Sequence, residues 1–475
     1  MRKSQTSATA RPRDARRGLL STARLLDDPR VRALIGVYDR PAVVDSVRRV
    51  LERRRRGLAG GGAAPGAADL AAEVEADVRR DGRGRLRRAV NATGVLLHTG
   101  LGRAVLPEAA ARALGTLDGA CNVQIDLDTG ARGRRDAACE ALLARLTGAE
   151  AAMLVNNNAA ATLLILAALC RGREVVVSRG QLVEIGGSYR LPDCIHQSGA
   201  ILVEVGTTNR THLADFEAAL GENTAALMRV NPSNFRVVGF TREVSVAELA
   251  TLKQRRPVLV IDDLGAGSLV DLRPMGLPYE PTVQESLRAG ADLVCCSGDK
   301  LIGGPQAGII VGRRDLVETL RRHPLARMLR VGKLTAMALQ ETLRLFLDPD
   351  TLADRHPTLR MLTTPLSELR WRARRIVRAA RPDPSDLRLE VRPSEASVGG
   401  GSYPGHALPS IAVAATSPRA SPDEICRRLR LQEPPVVAHI ADDAVLLDVR
   451  TLLPGEERAV AAALRTLAIG IRHDR

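Results

Sequence analysis

Ala291-Asp-Leu-Val-Cys-Cys-Ser-Gly-Asp-Lys-Leu-Ile-Gly-Gly-Pro-Gln-Ala-Gly-Ile-Ile-Val-Gly312 is the stretch of sequence that decides the fold. It predicts a buried strand over residues 293–296, a polar turn carrying Lys300, a Gly/Pro loop, and a second apolar strand over 309–311. Burial disfavours the ammonium form of a lysine and lowers its pKa. A neutral amine can attack a carbonyl and form a Schiff base. We therefore expect Lys300 to hold pyridoxal phosphate (PLP) as an imine.

Lysine is rare in this chain, which narrows the choice of a Schiff-base residue. Of the 69 basic residues, only Lys3, Lys253, Lys300 and Lys333 are lysines. Lys3 is in a terminal tail, Lys253 is at a predicted helix end, and Lys333 is in an amphipathic, arginine-rich segment. Only Lys300 stands between apolar strands beside a tight glycine loop, so it is the candidate.

Length and composition indicate a large globular protein. The chain has 475 residues, of which 45% are hydrophobic and 26% charged, so it has room for two or three domains. No apolar run is long enough to span a membrane, and the N-terminus has no signal-peptide core. The seven cysteines lack Cys-x-x-Cys spacing, which argues against a disulfide framework or a zinc site. We expect a cytoplasmic protein without a metal centre.

Positive charge is concentrated at the N-terminus. Residues 1–60 contain 16 Lys+Arg and 6 Asp+Glu, while the net charge of the whole chain is +15. Apolar residues repeat with helical spacing through 18–56, and residues 57–66 have the composition of a flexible linker. We expect a basic helical domain at 1–57, then a linker and a helix at 58–87. The charge fits a nucleic-acid-binding arm and a solvated surface equally well.

Beyond residue 107, apolar strands alternate with helices. Strands are predicted at 152–155, 174–177, 200–205, 225–230, 258–261, 293–296 and 309–311, and helices between most of them at 135–147, 159–169, 213–220 and 246–255. Apolar strands separated by helices are typical of a parallel sheet covered on both faces. We expect an α/β fold with a mostly parallel seven-stranded sheet at 88–345 and a smaller α+β domain at 346–475.

Polar residues follow five of these strands, at the edge of the sheet where ligands bind. The polar segments are 156–162, 178–187, 206–211, 231–234 and 262–267. Asn157 and Asn158 open a helix whose N–H groups favour a phosphate, and Ser297 is a second donor for the same group. We expect these three residues to bind the cofactor phosphate, with the glycine-rich loop at 397–402 nearby.

Three further groups are candidates, each with a structural alternative. Asp262 or Asp263 ends a strand and can hold the pyridine nitrogen of PLP protonated, although a turn-capping role is possible. Asp299 can transfer a proton, position the substrate, or cap the turn. Arg103 follows a Gly-rich segment that is either a substrate-pocket wall or a turn.

Arg327 and Arg330 are three residues apart, which predicts a shared helical face. Paired arginines suit a phosphate or another oxyanion, whereas a solvated face is the structural alternative.

Several motifs together resemble the bacterial selenocysteine synthase family, L-seryl-tRNA(Sec) selenium transferases with the fold of type I PLP enzymes. The resemblance runs from about residue 88 to 345. Its carriers are Asn91-Ala-Thr-Gly-Val-Leu-Leu-His-Thr-Gly-Leu-Gly-Arg103, the Ser-Arg-Gly and Glu-Ile-Gly-Gly pieces of 178–187, Val205-Gly-Thr-Thr-Asn-Arg-Thr211, Asp263-Leu-Gly-Ala-Gly267 and Ser297-Gly-Asp-Lys-Leu-Ile-Gly-Gly-Pro-Gln-Ala-Gly308.

The resemblance implies the reaction and its cofactor. It implies that seryl-tRNA(Sec) becomes selenocysteinyl-tRNA(Sec) by PLP-dependent β-elimination of the serine hydroxyl, followed by addition of selenium from selenophosphate. It also implies that the basic N-terminal domain grips the tRNA and that the enzyme is a homodecamer, a pentamer of dimers.

The resemblance also implies roles for individual residues. Lys300 is the Schiff-base lysine and Asp263, rather than Asp262, is the pyridine partner. Arg103, Arg327 and Arg330 surround the anionic selenium donor, and Thr207, Thr208 and Asp299 are catalytic groups. Gln181 departs from the family, which has glutamate at this position.

A PLP-dependent lyase or aldolase of the same fold is the alternative, acting on a small phosphorylated amino acid or amino sugar acid. It would use the same lysine and aspartate but would not need a basic N-terminal domain. A non-catalytic RNA-binding protein would explain the charge but not the buried lysine.

Overall fold

The computed structural model describes residues 19–58, 65–82, 86–187 and 189–473. These residues divide into two compact units, with the boundary at Arg88. Most of the predicted linker at 57–66 lies outside the described residues.

The N-terminal unit is built of helices α1 (Thr22–Leu26), α2 (Pro29–Ile35), α3 (Arg40–Leu58) and α4 (Ala67–Gly82). Leu70, Val74 and Val78 form an apolar stripe on α4 and are buried in one cluster with residues of α3. The sequence places this helix with the linker, after a boundary at residue 57. The structure instead makes α4 part of the helical unit, because its stripe completes the core.

The described helices of this unit carry nearly balanced charge. Residues 19–82 contain 12 arginines and ten acidic residues, five of them on α4. Arg49 and Arg53 each lie 2.8 Å from the buried carboxylate of Asp77, and Arg54 pairs with Glu73. Much of the predicted positive excess therefore belongs to residues 1–18, whose structure is not described, where six basic residues accompany one aspartate.

The first part of the second unit contains ten strands, with helices between most of them. The strands are β1 (Val90–Asn91), β2 (Ala151–Val155), β3 (Glu174–Ser178), β4 (Glu184–Ile185), β5 (Tyr189–Arg190), β6 (Ile201–Val205), β7 (Thr224–Val230), β8 (Leu259–Gly265), β9 (Leu293–Ser297) and β10 (Gly308–Gly312). Seven of them form the central sheet in the order β2-β10-β9-β8-β7-β3-β6. β10 runs antiparallel to β2 and β9, and the other neighbours are parallel. The predicted seven-stranded, mostly parallel sheet is confirmed.

Helices cover the sheet on both faces. They are α5 (Glu108–Leu114), α6 (Ala137–Thr147), α7 (Asn158–Leu169), α8 (Leu191–Ser198), α9 (Leu213–Ala218), α10 (Val246–Thr251), α11 (Val283–Arg288), α12 (Arg314–Arg322), α13 (Pro324–Met328), α14 (Lys333–Leu345), α15 (Pro349–Arg355) and α16 (Pro357–Thr363). Alternate residues of each central strand enter different cores: Val294 and Cys296 of β9 join one cluster, and Leu293 and Cys295 join the other. Strands buried on both faces explain why their sequences are apolar throughout.

The chain ends in an α+β region that belongs to the same compact unit. Its elements are α17 (Leu366–Ala380), β11 (Arg388–Gly399), β12 (Ser402–Thr416), α18 (Pro422–Arg430), β13 (Val436–Val437), β14 (His439–Ala441), β15 (Ala444–Asp448) and α19 (Glu456–His473). Four strands make an antiparallel sheet in the order β11-β12-β15-β14, while β13 pairs with β1. Among the described residues, no helix combines the length and apolar character needed to cross a lipid bilayer.

Candidate active site

The turn after β9 carries Lys300 at the carboxyl edge of the central sheet. The N–H of Gly298 donates to the carbonyl of Ala307 at 2.8 Å, which closes the base of the loop. Inside it, the N–H of Gly303 donates to the carbonyl of Lys300 at 2.9 Å. The lysine side chain is buried, with 5% of its surface exposed. The lysine is thus held by a compact, hydrogen-bonded turn.

Lys300 lines a cavity of about 260 Å³ together with most of the predicted site residues. Those brought together here are Arg103, Asn157, Asn158, Asp263, Ser297, Asp299 and Lys300. Four of the five predicted polar strand ends contribute to the wall: those of β2, β3, β7 and β8. Tyr189, Asn231, Ser233 and Gln306 also line the cavity without having been assigned a role from the sequence.

The surroundings of Lys300 lower the pKa of its amine. Burial is the largest cause, and the nearby guanidinium of Arg103 is the second. The carboxylates of Asp263, Asp299 and Glu280 oppose this shift. A larger share of neutral amine at a given pH makes the lysine a better nucleophile and base.

Asp263 and Asp262 are adjacent on β8 and point to different surroundings. Asp263 lines the cavity and accepts hydrogen bonds from Asn158 Nδ2 at 2.7 Å and Thr162 Oγ1 at 3.0 Å. Burial raises the pKa of Asp263, and its hydrogen bonds oppose that shift. Asp262, whose side chain is fully buried, instead pairs with Arg229 at 2.9 Å. Strand alternation therefore leaves Asp263 as the aspartate that faces Lys300.

Asp299 fixes the position of Arg103. Arg103 Nη1 lies 2.8 Å from Asp299 Oδ2, and the N–H of Ala104 donates to the Asp299 carbonyl at 3.2 Å. Arg103 has φ of +64°, an uncommon backbone conformation for a residue with a side chain. Local strain of this kind is typical of functional sites. The pair delivers one guanidinium to the cavity beside the lysine.

The glycine-rich loop between β11 and β12 reaches the lysine, as the sequence predicts. A Cβ on Gly401 would lie 3.3 Å from Lys300 Nζ and 3.4 Å from Ser233 Oγ, and its φ is +74°. Glycine is needed here on both counts, because a side chain would be strained and would crowd the amine.

His356 braces the lysine turn from the protein interior. Its Nδ1 accepts from the N–H of Leu359 at 3.2 Å, so Nε2 carries the hydrogen and donates to the carbonyl of Ile302 at 2.9 Å. Burial lowers the pKa of His356 to about 4. Its position as the N-cap of α16 also disfavours a cation there. The sequence analysis gave this residue no role.

We expect His356 to make the protein less stable in acid. Between pH 6.5 and 4 the unfolded chain binds a proton at this residue and the folded chain does not, so stability is full above pH 6.5 and is lost as pH falls. The loss is about 3 kcal/mol for a shift of this size. Urea unfolding across this pH range should show a shallower dependence for His356→Asn, which keeps an N-cap acceptor but does not titrate. An unchanged dependence would contradict the assignment.

Thr207 and Thr208 are not brought to this cavity. Both are exposed in the turn after β6, where Thr207 Oγ1 donates to the Arg210 carbonyl at 3.0 Å. β6 is the edge strand, four strand positions from β9, or roughly 19 Å at the usual strand spacing. Within one chain, neither threonine lines the cavity of Lys300.

Arg327 and Arg330 also lie elsewhere, and they do not share a helix. Arg327 is in α13, which ends at Met328, and Arg330 is in the segment before α14. Both line a separate cavity of about 280 Å³ with Arg134 and Arg135, and this cavity shares no lining residue with that of Lys300. The positive charges of Arg135 and Arg327 lower the pKa of Arg330.

Gln181 has a structural task that an amide can perform. Its Oε1 accepts from the N–H of Val230 at 3.1 Å and so ties the end of β3 to the end of β7. Glutamate offers the same acceptor oxygen. The departure from the family therefore preserves this hydrogen bond.

The cavity fits PLP. Lys300 Nζ has no hydrogen-bond partner among the described residues, and Asn158 Oδ1 is buried and unpaired within the same set. Asp263 is a buried carboxylate that would suit a pyridine nitrogen, and the N-terminus of α7 has N–H groups that would suit a phosphate. The fold and these groups define a fold-type-I PLP-dependent enzyme.

Comparison with known proteins gives the family. The family model for L-seryl-tRNA selenium transferase matches residues 89–453, and one for the selenocysteine synthase N-terminal region matches 21–55. The chain belongs to this family, and its cofactor is PLP.

Individual relatives agree with this membership. The L-seryl-tRNA(Sec) selenium transferase of Geobacter metallireducens is 48% identical over 450 residues, covering 94% of this chain and 97% of that protein. The Moorella thermoacetica protein of the same name is 50% identical over 394 residues, covering 82% and 84%. A solved D-glucosaminate-6-phosphate ammonia-lyase shares the fold, with a TM-score of 0.57 and 22% identity over 83% of this chain and 98% of that one.

Proposed function

We propose that this chain converts seryl-tRNA(Sec) to selenocysteinyl-tRNA(Sec) with selenophosphate as the selenium donor. The observation that carries the proposal is the cavity in which Lys300, Asp263 and the Arg103–Asp299 pair meet, in a chain of the selenium transferase family. The reaction removes the serine hydroxyl by β-elimination and adds selenium at the same carbon.

Each cavity residue has a part in that reaction. Bound PLP supplies an aldehyde for an amine and a ring that takes up negative charge. Lys300 would hold the aldehyde carbon, Asp263 the ring nitrogen, and Asn157, Asn158 and Ser297 the phosphate. The amine of Lys300, when free, would be the base that removes the proton from Cα of the serine, a role that its lowered pKa favours.

Arg103 is the cation placed to receive an anionic selenium donor. Its guanidinium reaches the cavity, and Asp299 holds it in place. Arginine suits this task because its planar fork matches a phosphate oxyanion. Asp299 also lies beside the lysine, where a carboxylate can relay a proton. Tyr189 forms an aromatic wall of the cavity.

A homodecamer, expected from the family resemblance, bears on the remaining predicted residues. Arg327, Arg330, Thr207 and Thr208 lie outside the lysine cavity of their own chain. A contact between these side chains and a group bound inside a lysine cavity would therefore come from a second copy of the chain. We propose that the enzyme works as such an oligomer.

The direct test supplies purified chain and PLP with seryl-tRNA(Sec) and selenophosphate. We expect selenocysteinyl-tRNA, and none when selenophosphate is omitted. A parallel reaction with D-glucosaminate 6-phosphate measures ammonia and tests the small-substrate lyase. Ammonia release from that sugar acid without any selenocysteinyl-tRNA would overturn the proposal.

We propose that the N-terminal unit binds tRNA. Its boundary at Arg88 determines which deletion removes the whole unit. Deletion of residues 1–88 takes α4 away with its partners, whereas deletion of 1–57 would expose the stripe of Leu70, Val74 and Val78. We expect loss of 1–88 to weaken tRNA(Sec) binding at least ~10-fold, because basic clusters bind phosphates. Filter binding measures the affinity, and circular dichroism checks that the remainder is folded. Unchanged affinity would refute this role.

A further inference from the structure

Helix α17 carries a basic surface that has no role in the cavity described above. One side of the helix is buried, with Leu369, Ala373 and Ile376 in the core formed with α19 and β12. The other side exposes what we name the α17 stripe: Arg370, Trp371, Arg374, Arg375 and Arg378.

The arginines of the α17 stripe are not neutralised by neighbouring acids. No ion pair joins Arg370, Arg374, Arg375 or Arg378 to a carboxylate in the described part of the chain. Several arginines on other exposed helices do have such partners, as in Arg79–Glu75 on α4 and Arg427–Glu424 on α18. Glu368 is the one acidic residue of α17. The stripe is therefore a concentrated patch of free positive charge.

Trp371 interrupts this charge with an exposed aromatic ring. It is the only tryptophan of the chain, and 55% of its surface is exposed. The guanidinium of Arg375 lies over the ring, 4.5 Å from its centroid. A large aromatic side chain left in water beside cations is a typical stacking platform for nucleic-acid bases.

The surface around Trp371 is grooved rather than flat. Two cavities, of about 510 and 520 Å³, both have Trp371 and Arg375 in their walls. The wall of the first contains five arginines, Arg360 and Arg458 among them, and two glutamates, Glu368 and Glu457, so its net charge is positive beyond α17.

We propose that the α17 stripe binds the phosphate backbone of RNA, as a second contact with the tRNA substrate. Residues four apart on a helix repeat every ~6 Å, so Arg370, Arg374 and Arg378 present a row of cations to a strand of phosphates. Trp371 beside the row stacks on a base or ribose edge of a single-stranded or end region. The inference rests on the proposed function, because it takes the substrate to be a tRNA.

The α17 stripe is better suited to bind RNA phosphates than the described N-terminal helices are. The described N-terminal helices hold arginines that are largely paired with acids of their own unit, as in Arg49 and Arg53 with Asp77. An arginine already paired must lose that partner before it can neutralise a phosphate. The α17 arginines have no such partner to lose.

The single tryptophan provides a local probe for the test. Full-length protein with PLP is titrated with tRNA(Sec) transcript while Trp371 fluorescence and tRNA affinity are followed at several salt concentrations. The test variant is Arg370→Gln/Arg374→Gln/Arg378→Gln. The control, Arg145→Gln/Arg256→Gln/Arg288→Gln, removes three exposed arginines from other helices and loops of the same unit.

We expect tRNA(Sec) to change the Trp371 emission of the parent protein. The test variant should bind tRNA roughly 10-fold more weakly than the control variant, and its log-affinity should fall less steeply with log salt, by about one unit per lost phosphate contact. Selenocysteinyl-tRNA formation at saturating tRNA should stay the same for both variants.

Three results would overturn the inference. Unchanged emission with equal affinities for both variants would show that the stripe does not touch tRNA. A change of oligomeric mass in the test variant alone, with tRNA affinity kept, would make the stripe a contact between copies of the chain. If the test variant bound tRNA more weakly than the control by the same factor at every salt concentration, the lost contacts would not be contacts with phosphates. Failure of the proposed function is separate, since it would appear as absent selenocysteinyl-tRNA formation by the parent protein.

Discussion

Lys300→Ala is expected to abolish selenocysteinyl-tRNA formation, with a fall in kcat of at least ~10³-fold. The expected loss lies in the upper part of the range for removal of a general base, because the same amine is also proposed to hold the cofactor. The lysine has no substitute in its cavity, since no other lysine lines it. Single-turnover assays with seryl-tRNA(Sec) measure the rate, and the visible absorbance of lysine-bound PLP reports whether the cofactor is still covalently held.

The control for this variant is Lys333→Gln. Lys333 donates to the Gly119 carbonyl at 3.2 Å, outside the lysine cavity, and we expect its loss to leave activity and absorbance unchanged. tRNA affinity should be equal in both variants, because neither site belongs to a proposed RNA surface. Substantial turnover by Lys300→Ala would refute the mechanism.

Asp263→Asn should lower kcat by about 10²- to 10⁴-fold, the range for a group that controls a proton in the reaction. An amide keeps most of the shape. Its single oxygen can still accept from Asn158, and its NH2 group can donate to the hydroxyl of Thr162, the other partner of Asp263. It cannot carry the negative charge that keeps a pyridine nitrogen protonated. The loss should therefore appear in kcat with tRNA affinity unchanged.

Asp262→Asn is the matched variant on the neighbouring residue of the same strand. It removes the fully buried carboxylate that pairs with the largely buried Arg229, and leaving one charge of a buried pair alone costs about 3–5 kcal/mol. We expect urea unfolding to show this loss, and the folded fraction to keep its activity. If Asp262→Asn instead lost activity while Asp263→Asn kept it, the assignment of the two aspartates would be reversed.

Local pattern was enough to predict the central sheet and its lysine. The inner strands are buried on both faces, so their sequences are mainly apolar, and polar residues begin near the strand ends. The antiparallel position of β10 between β2 and β9 has no such local signal, because it depends on pairing with a strand some 150 residues away. The packing of α4 against α3 was missed for a related reason. The composition of the linker before α4 does not indicate which helix covers the apolar stripe of α4.

The site residues at the ends of neighbouring strands could be predicted from the sequence. Those that reach the site from distant parts of the sequence could not. Asn158 and Lys300 follow strands of the central sheet, and Asp263 lies near the end of another. These strands are close in the sheet, so the convergence of the three residues follows from topology. His356 was missed because it reaches Ile302 from a helix 54 residues later. Thr207 lies after an edge strand and Arg330 after a short helix, and neither position can be inferred from motif alone.

The scarcity of lysine has a consequence for the chemistry of cofactor loading. The PLP aldehyde reacts with any accessible neutral amine, but guanidinium groups do not form such adducts under the same conditions. The Lys253 amine is engaged by Asp292 at 2.9 Å and by the carbonyl of Gly290 at 3.2 Å. A surface whose positive charge is almost all arginine can therefore attract phosphorylated ligands while leaving the aldehyde few side chains to modify wrongly. Selective labelling follows: reduction with borohydride after PLP loading should mark Lys300 ahead of the other amines.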